Sequence, residues 1–309
     1  RLEIAAPQLD IRRDAAGAIQ IAGLPLVTTG EEGGFARWLL AQGRIVVRDA
    51  RVTWHDELRG AAPFSLTQLN IELRNFGRYH SFGIHAEPAV AAATRLDLRG
   101  NLVGNDVADL ADWRGELYAD VTAADLAEWQ TWIDLPPEWS RGHGDVRLWL
   151  NFADRQITEL TGELRLADVV LKLRTDLPEL ALARLAGRLD GQRTGDGYVV
   201  RTHRLTLTTQ EGVVLPPTDA RLEWQPAGRK AGGELSANTL DIGTLAALAG
   251  HLPLPAQAHE RLREFAPRGR LAEVAVQWKG TADAPDDWQA RMRFDGLALA
   301  AYRELPGVD

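Results

Sequence analysis

The sequence predicts a mostly β protein, a long curled antiparallel sheet that forms a repetitive, taco-like groove with a few short helices along its opening. Three observations predict this class. Apolar and polar residues alternate along many segments, turn residues separate the segments at short intervals, and one arrangement of segments occurs twice. On the order of twenty strands, at about 4.8 Å each, would extend on the order of 100 Å. Because few helices can cover one apolar face of that length, the sheet must curl around a groove or fold into two packed sheets.

The stretch from Gly43 to Pro88 shows the strand pattern first. Gly43–Trp54 is rich in β-branched residues, which favour a strand. The segment Phe64–Arg74 alternates as well, and its alternation slips by one place at Thr67-Gln68, in the form of a β-bulge. After a turn, His80–Ala86 alternates again. The sequence therefore predicts three neighbouring strands, each with one apolar face.

The remaining chain repeats strands and turns, with short helical interruptions. Thr122 to Asp134 changes to a helical period, with Thr122 and Asp125 placed like a capping box. Two further short helices are predicted at Ile242 to Ala249 and Ala258 to Phe265. Further strands are predicted at 95–102, 113–121, 144–151, 157–175 and within 185–224.

An internal duplication relates about 113–152 to about 231–279. Each copy holds a Gly-Glu-Leu strand, a helix that begins at an aspartate, a proline break and a second strand, with Gly144 matched to Gly269. Repetition of this kind extends a one-dimensional array, because each unit buries its edge on the next. We therefore expect residues 1–309 to be one continuous β-groove segment of a longer protein.

Composition excludes several classes of function. A net charge of -8 with interspersed acids and bases argues against a nucleic-acid partner, which selects for clustered Lys and Arg. The absence of cysteine removes disulfides and thiolate chemistry. The opening residues Arg1-Leu2-Glu3-Ile4 contain no signal peptide, and no apolar run reaches the roughly 18 residues of a membrane span. We expect any membrane anchor to lie outside this fragment.

Catalytic and metal-binding signatures are not found. The four serines include no Gly-x-Ser-x-Gly and no Ser-x-x-Lys motif. The run His55-Asp56-Glu57 resembles a ligand cluster, yet consecutive residues on a strand point in different directions, and His80 and His85 fall on opposite faces. We interpret these histidines as solvated turn and strand residues. The sequence predicts a protein that is not an enzyme and holds no catalytic residue, metal or cofactor.

The ten tryptophans could form a carbohydrate-binding platform or could serve packing. Trp129 and Trp132 lie on the predicted helix, where burial against the sheet explains them. Four others, Trp54, Trp149, Trp224 and Trp278, fall near predicted strand ends, as tryptophan does at a sheet edge. Packing is the favoured interpretation, and a row of exposed coplanar rings would favour sugar binding instead.

Several stretches, taken together and in order, resemble the YhdP-type members of the AsmA-like family, to which TamB is related. The stretches are WLLAQGRIVVRDARVTWHDE at 38–57, NIELRNFGRYHSFGIHAEP at 70–88, LDIRRDAAGAIQIAGLPL at 9–26, the segment from LARLAGRL to ARLEW at 182–224, and FDGLALAAYRELPGVD at 294–309. The resemblance implies an inner-membrane-anchored periplasmic protein that carries phospholipid towards the outer membrane. Its implied partners are phospholipid acyl chains and proteins of the two membranes.

The predicted function is therefore a segment of a periplasmic bridge that shelters acyl chains in an apolar β-groove. Acyl chains need continuous apolar surface and no specific polar partner. Two alternatives remain open, a structural or interaction scaffold of the cell envelope and a tryptophan-using glycan-binding module. The residues predicted to line the apolar face are Val52, Trp54, Leu96, Leu98, Leu117, Val121, Leu148, Leu150, Leu164, Leu166, Leu205, Leu207, Leu222, Val274 and Val276.

Overall fold

The structure, a computed structural model, describes residues 1–25, 34–89, 92–105, 111–134, 137–226, 231–252, 256–281 and 284–298. The strands are β1 (Leu2–Ala5), β2 (Gln8–Arg13), β3 (Ile19–Ile21), β4 (Leu24–Pro25), β5 (Arg44–Asp56), β6 (Phe64–Phe76), β7 (Tyr79–Pro88), β8 (Arg95–Val103), β9 (Arg114–Asp125), β10 (Glu138–Ala153), β11 (Gln156–Lys172), β12 (Leu180–Thr194), β13 (Gly197–Thr209), β14 (Val214–Gln225), β15 (Gly232–Asp241), β16 (Arg268–Thr281) and β17 (Ala284–Ala298). The helices are α1 (Gly34–Ala41), α2 (Leu126–Trp129), α3 (Ile242–Leu248), α4 (Ala256–Phe265) and a 3-10 turn (Ala249–His251). The predicted mostly β class is confirmed.

The chain divides into two compact units. Unit 1 holds residues 1–135 and 143–160, and unit 2 holds residues 136–142 and 161–309. Unit 1 therefore contains β1 to β9 and most of β10. Unit 2 contains most of β11 and all of β12 to β17.

The sheet of unit 1 is antiparallel from β5 through β10, each strand pairing with the next along the chain. On the other side of β5 the pairing is parallel. The strand β1 pairs with the first part of β5, at 45–48, and β2 pairs with the second part, at 51–56. The backbone bends between them at Ala6, which has a φ of 49°. The hairpin of β3 and β4 continues from β2. In the described part of unit 1, β4 and β10 do not pair, so the sheet is not closed.

A pair of facing bulges keeps the apolar residues of β5 and β6 on one side. Asp49 and Gln68 have φ values of 51° and 48°, and the register shifts at both positions. Val47 pairs with Ile71 and Ala50 pairs with Leu69, so two neighbouring apolar residues on the same side of β5 are three positions apart. Since alternation has a period of two, a spacing of three needs one extra residue in the strand. The bulge predicted at Thr67-Gln68 is confirmed.

The sheet of unit 2 is antiparallel from β12 through β17. Strands β12 to β17 pair in chain order, and β11 lies next to β12. Bulges at Arg204 and Glu273, each with a positive φ, interrupt the alternation here as well. Among the described residues the outer strands of this unit, β11 and β17, do not pair with each other, so this sheet is also not closed.

The predicted helix at Thr122 to Asp134 is much shorter than its period indicated. Thr122 still pairs with Arg95 as part of β9, and the strand continues to Asp125. The helix α2 covers only Leu126–Trp129, and its N-cap is Asp125, whose carboxylate accepts hydrogen bonds from the N–H groups of Ala127 and Glu128. The capping-box interpretation of Thr122 was therefore wrong, because cross-strand pairing holds that residue in the sheet. The predicted helices in the second copy correspond to α3 and α4.

Both copies of the duplicated arrangement have the same local structure. In each, a strand ends at an aspartate that caps a helix, and Asp241 accepts a hydrogen bond from the N–H of Thr244 as Asp125 does on α2. The returning strand lies opposite, with His143 across from Asp125 and Arg270 across from Asp241. By this register the counterpart of Gly269 is Gly142 and not Gly144. Common ancestry of the two copies remains a prediction.

Candidate functional site

The most extensive feature of unit 1 is an apolar face built from rows of residues that lie directly opposite one another across neighbouring strands. Two rows cross all six strands from β5 to β10, and a third crosses them with one break in the register, between β6 and β7. We call the three rows together the apolar face of unit 1. The first row holds Ile45, Leu73, Phe82, Gly100, Leu117 and Leu150. The second holds Val47, Ile71, Ile84, Leu98, Ala119 and Leu148. The third holds Ala50, Leu69, Ala86, Leu96, Val121 and Val146.

The opposite side of the same strands is polar. Arg95, Arg99, Glu116 and Arg147 are exposed and alternate with the apolar rows. Arg99 donates two hydrogen bonds to Asp97, at 2.9 and 2.8 Å, and these bonds hold the pKa of Asp97 below its ordinary value. Such pairs on a solvated surface contribute little to stability. The exposure of the four charged residues shows that this side is in water. The alternation in the sequence therefore separates two faces of different chemistry.

Partial exposure distinguishes the apolar face from an ordinary core. Fifteen residues, from both units, were predicted to line an apolar face. Val52, Leu96, Leu166 and Val274 are buried, and the other eleven are half-buried. Leu98, in the middle of the central row, keeps part of its side chain accessible although apolar neighbours lie on both sides. A packed core would bury such a residue fully, so part of this apolar surface is accessible to solvent.

One margin of the apolar face in unit 1 is closed by aromatic side chains. Trp132 packs against Phe64 with ring centroids 4.6 Å apart and planes tilted by 45°, and the Trp129 ring centroid lies 5.5 Å from that of Phe64. The indole N–H of Trp129 donates to Ala92 O at 2.8 Å, and the indole N–H of Trp132 donates to Ala62 O at 3.0 Å. The interpretation of both tryptophans as packing residues is confirmed. Trp54, predicted to line the groove, also packs against this cluster.

At the other margin of the face, the row beyond Phe82 begins with the polar residues Asn75 and His80 and continues with Leu102, Gly115 and Phe152. The His80 ring is hydrogen-bonded to Asn75 Oδ1 at 2.7 Å and to Gly104 O at 3.2 Å, and it lies 5.2 Å from the ring of Trp113. The side-chain amide of Asn75 donates to the carbonyls of Leu39 and Gln42, which attaches the end of α1 to the sheet. His80 is 4% exposed, so its interpretation as a solvated strand residue was wrong.

The His55-Asp56-Glu57 run also needs a correction. Asp56 is buried, and its carboxylate accepts hydrogen bonds from the Arg13 guanidinium and the Arg59 backbone N–H. The Arg13 bonds lower the pKa of Asp56 more than any other interaction does. Burial arises because β2 runs beside β5, a long-range pairing that no local pattern shows. Within the described residues no group of three His, Asp or Glu side chains could hold a metal.

Unit 2 has an apolar face of its own, again made of directly opposite residues. Its central row runs through Val200, Leu222, Leu235, Val276 and Ala290, and the next row through Thr202, Ala220, Ala237 and Val274. We call these rows the apolar face of unit 2. On β13, Leu207 lies opposite Leu215 and Leu205 opposite Thr218. Leu164 and Leu166 share one side of β11.

An aromatic row follows the central row of unit 2, towards the margin of the sheet where β13, β15 and β17 begin. It consists of Tyr198, Trp224, Trp278 and Trp288, with Gly233 between the second and third. Tyr198 and Trp224 have ring centroids 5.3 Å apart and planes tilted by 30°. Trp288 and Tyr198 are 62% and 43% exposed. The Trp224 and Trp278 positions near strand ends are as predicted, whereas Tyr198 and Trp288 were missed.

A signal for the missed residues is present in the sequence. Trp288, Ala290 and Met292 follow a period of two in β17, and Tyr198, Val200 and Thr202 follow it in β13. Period two identifies which residues share a face, but only the register shows that the faces of β13 and β17 hold one row. Trp149, by contrast, lies next to Tyr118 on the polar side of unit 1, with ring centroids 5.3 Å apart.

Comparison with known proteins gives one match. A family model described as YhdP protein matches residues 1–309. No curated protein and no solved structure matches the chain significantly. No helix in the described ranges has the length and apolar character needed to cross a membrane.

Proposed function

The chain belongs to the YhdP family, and from this membership and the one-sided strands we propose that it is a segment of a periplasmic bridge for phospholipid transfer between the inner and outer membranes. In this proposal acyl chains lie on the apolar faces while head groups stay in water. The full-length protein is anchored in the inner membrane and contacts proteins at both membranes. The chain carries out no catalysis and uses no cofactor.

The observation that supports this proposal best is the middle row of the apolar face of unit 1. Six strands each contribute one apolar residue to it, and the short helices lie at strand ends. An acyl chain contacting this row loses water from its methylenes, at about 0.8 kcal/mol for each CH₂ removed from water. The row supplies no hydrogen-bonding side chain, so a lipid can move along it without breaking a specific bond.

A charge in this row tests the proposal. In Leu98→Asp a carboxylate retains its hydration at a position where tails pass, and removing that water costs about 3 kcal/mol, which slows passage about 100-fold. The control is Arg95→Asp, because Arg95 is exposed on the opposite side of the same strand. Arg99 is less suitable, since its substitution would also break the pair with Asp97.

The measurement places each change in the full-length protein and confirms equal folding and accumulation. Two quantities are then measured for each variant: phospholipid photocrosslinking at positions on either side of residue 98, and outer-membrane integrity. We expect Leu98→Asp to lower both and Arg95→Asp to change neither. Equal effects from the two variants, or none from either, would leave a structural envelope scaffold as the better explanation of the apolar faces.

A further inference from the structure

The aromatic row of unit 2 differs from the rows beside it in chemistry and position. Its members are Tyr198, Trp224, Trp278 and Trp288, and it lies near the margin of the sheet where β13, β15 and β17 begin. Behind it the face is aliphatic, with Leu222 and Leu235 in the adjoining row. Aromatic side chains with an apolar body and one polar group accumulate where hydrocarbon meets water, as they do at membrane interfaces.

The polar groups of this row are available to a ligand. Within the described residues, no acceptor is found for the indole N–H of Trp224, Trp278 or Trp288. The packing tryptophans of unit 1 differ, since Trp129 and Trp132 each donate to a backbone carbonyl. An indole N–H at the boundary of an apolar face suits an ester carbonyl, which accepts a hydrogen bond while the attached chain stays on the rings.

The opposite margin of unit 2 is covered. Helix α3 begins there, and its Thr244 hydroxyl donates to Val214 O at 2.9 Å, which holds the helix across the turn between β13 and β14. Leu248, the last residue of this helix, and Ala249 next to it are buried. From Leu215 to Trp224 the strand rises about 30 Å, whereas the tails of one lipid leaflet span about 15 Å. A tail therefore fits between the aromatic row and α3.

We propose that the aromatic row lies against the glycerol ester region of a bound phospholipid. Head groups then extend past the margin where β13, β15 and β17 begin, and tail ends point towards α3. This inference rests on the proposed function and adds to it the direction in which each lipid lies and the residues that fix its depth.

The orientation can be measured on the unmodified full-length protein. It is loaded from micelles with phosphatidylethanolamine that carries a diazirine either on the head group or at the end of one tail, then irradiated and mapped by mass spectrometry. We expect the head-group probe to label peptides around Trp224 and Trp288, and the tail-end probe to label peptides around Leu215 and α3. The reverse distribution, or equal labelling of both margins by both probes, would overturn the inference.

Variants separate the aromatic chemistry from apolar area. Trp224→Leu and Trp288→Leu keep an apolar side chain but remove the indole N–H. Each is expected to lower head-group labelling of the peptides around Trp224 and Trp288 about fivefold, the effect of one hydrogen bond of about 1 kcal/mol, while total tail labelling is retained. The control Trp149→Leu removes a partly exposed indole from the polar side of unit 1 and should change neither.

Two other outcomes have definite meanings. If neither probe labels any strand, the proposed function fails and this inference fails with it; tail labelling without a preferred margin defeats the inference alone. If chitotriose quenches tryptophan fluorescence in the wild type but not in Trp288→Leu, and lipid does not, the row is a glycan site and the inference is wrong.

Discussion

Aromatic rings cover glycines on the apolar faces. The ring of Phe82 lies across Gly100 in unit 1, and the ring of Trp278 lies across Gly233 in unit 2, each directly opposite in the register. A strand glycine has no side chain to contribute, and a large ring from the neighbouring strand fills the gap. The smooth apolar surface therefore depends on pairs of residues and not on single apolar positions.

We expect Gly100→Ala to destabilise the protein by about 1–3 kcal/mol through overpacking. A Cβ at this position would lie 2.4 Å from Phe82 Cε1 and 2.8 Å from Leu117 Cδ2, so the ring must move. Urea denaturation measures the change. Gly83→Ala is the matched control, because a Cβ at Gly83 would meet nothing within 4 Å, and its effect should stay within about 0.5 kcal/mol. Equal losses in the two variants would contradict the role of the ring.

The buried carboxylate of Asp56 makes stability depend on pH. Its folded-state pKa is lowered, chiefly by the Arg13 hydrogen bonds, so its contribution is complete above the unfolded pKa of about 3.9 and is lost as pH falls below it. We expect Asp56→Asn to destabilise the protein at pH 7 by about 2 kcal/mol, the range for a hydrogen bond to a charged group.

The measurement is denaturation of wild type and Asp56→Asn between pH 7 and pH 3, where the difference between them should shrink on the acid side. Asp10→Asn serves as the control, because the Asp10 side chain is 79% exposed. A difference that stays constant over the whole pH range would show that the ionised carboxylate is not the stabilising species.

At the scale of elements, two helices start directly from the ends of strands. A single aspartate, Asp125 or Asp241, ends the strand and caps the helix, so no loop residues are needed between them. Neither α2, with four residues, nor α3, with seven, would be stable alone. Their caps and their contacts with the sheet hold them at its margin.

Asp125→Ala and Asp241→Ala should each destabilise by about 1 kcal/mol, the usual effect of losing an N-cap. Because the caps orient short helices, amide hydrogen exchange should accelerate locally, in residues 126–134 for the first variant and 242–251 for the second. Hydrogen-exchange mass spectrometry checks this. Glu128→Ala changes an exposed residue of α2 that is not the cap and is expected to leave exchange unchanged. Acceleration throughout the chain would instead indicate a global loss of stability.

At the scale of the whole molecule, the chain keeps apolar and polar chemistry on opposite sides of its strands in each of its two units. Half-buried apolar surface is unfavourable in water unless something covers it. A ligand that covers the faces binds the folded state and not the unfolded chain, so it must stabilise the fold by mass action.

Phospholipid should therefore raise the thermal unfolding temperature. At a free concentration 100 times the Kd, a ligand adds about 2.7 kcal/mol to the free energy of unfolding. Differential scanning calorimetry with a short-chain phosphatidylcholine below its critical micelle concentration tests this, with the corresponding glycerophosphocholine, which has no tails, as the control. A rise with the head group alone, or none with the lipid, would argue against apolar binding.

The sequence by itself determined the strands, their one-sidedness and the bulge at Thr67-Gln68, because alternation and turn residues are local signals. It indicated the family as well. It also indicated that α3 and α4 would be short, but it extended α2 over Thr122, where pairing with β8 keeps the residue in the sheet. Local period alone cannot show that a neighbouring strand competes for the same backbone.

Only the tertiary structure decided which strands lie side by side. The parallel pairing of β2 with β5 buries Asp56, and the pairing of β6 with β7 buries His80 against Asn75, although both residues look like solvated polar positions in the sequence. The aromatic row likewise forms from residues far apart in sequence, from Tyr198 to Trp288. Register between strands is a long-range property, because it is fixed by every pair along the ladder together.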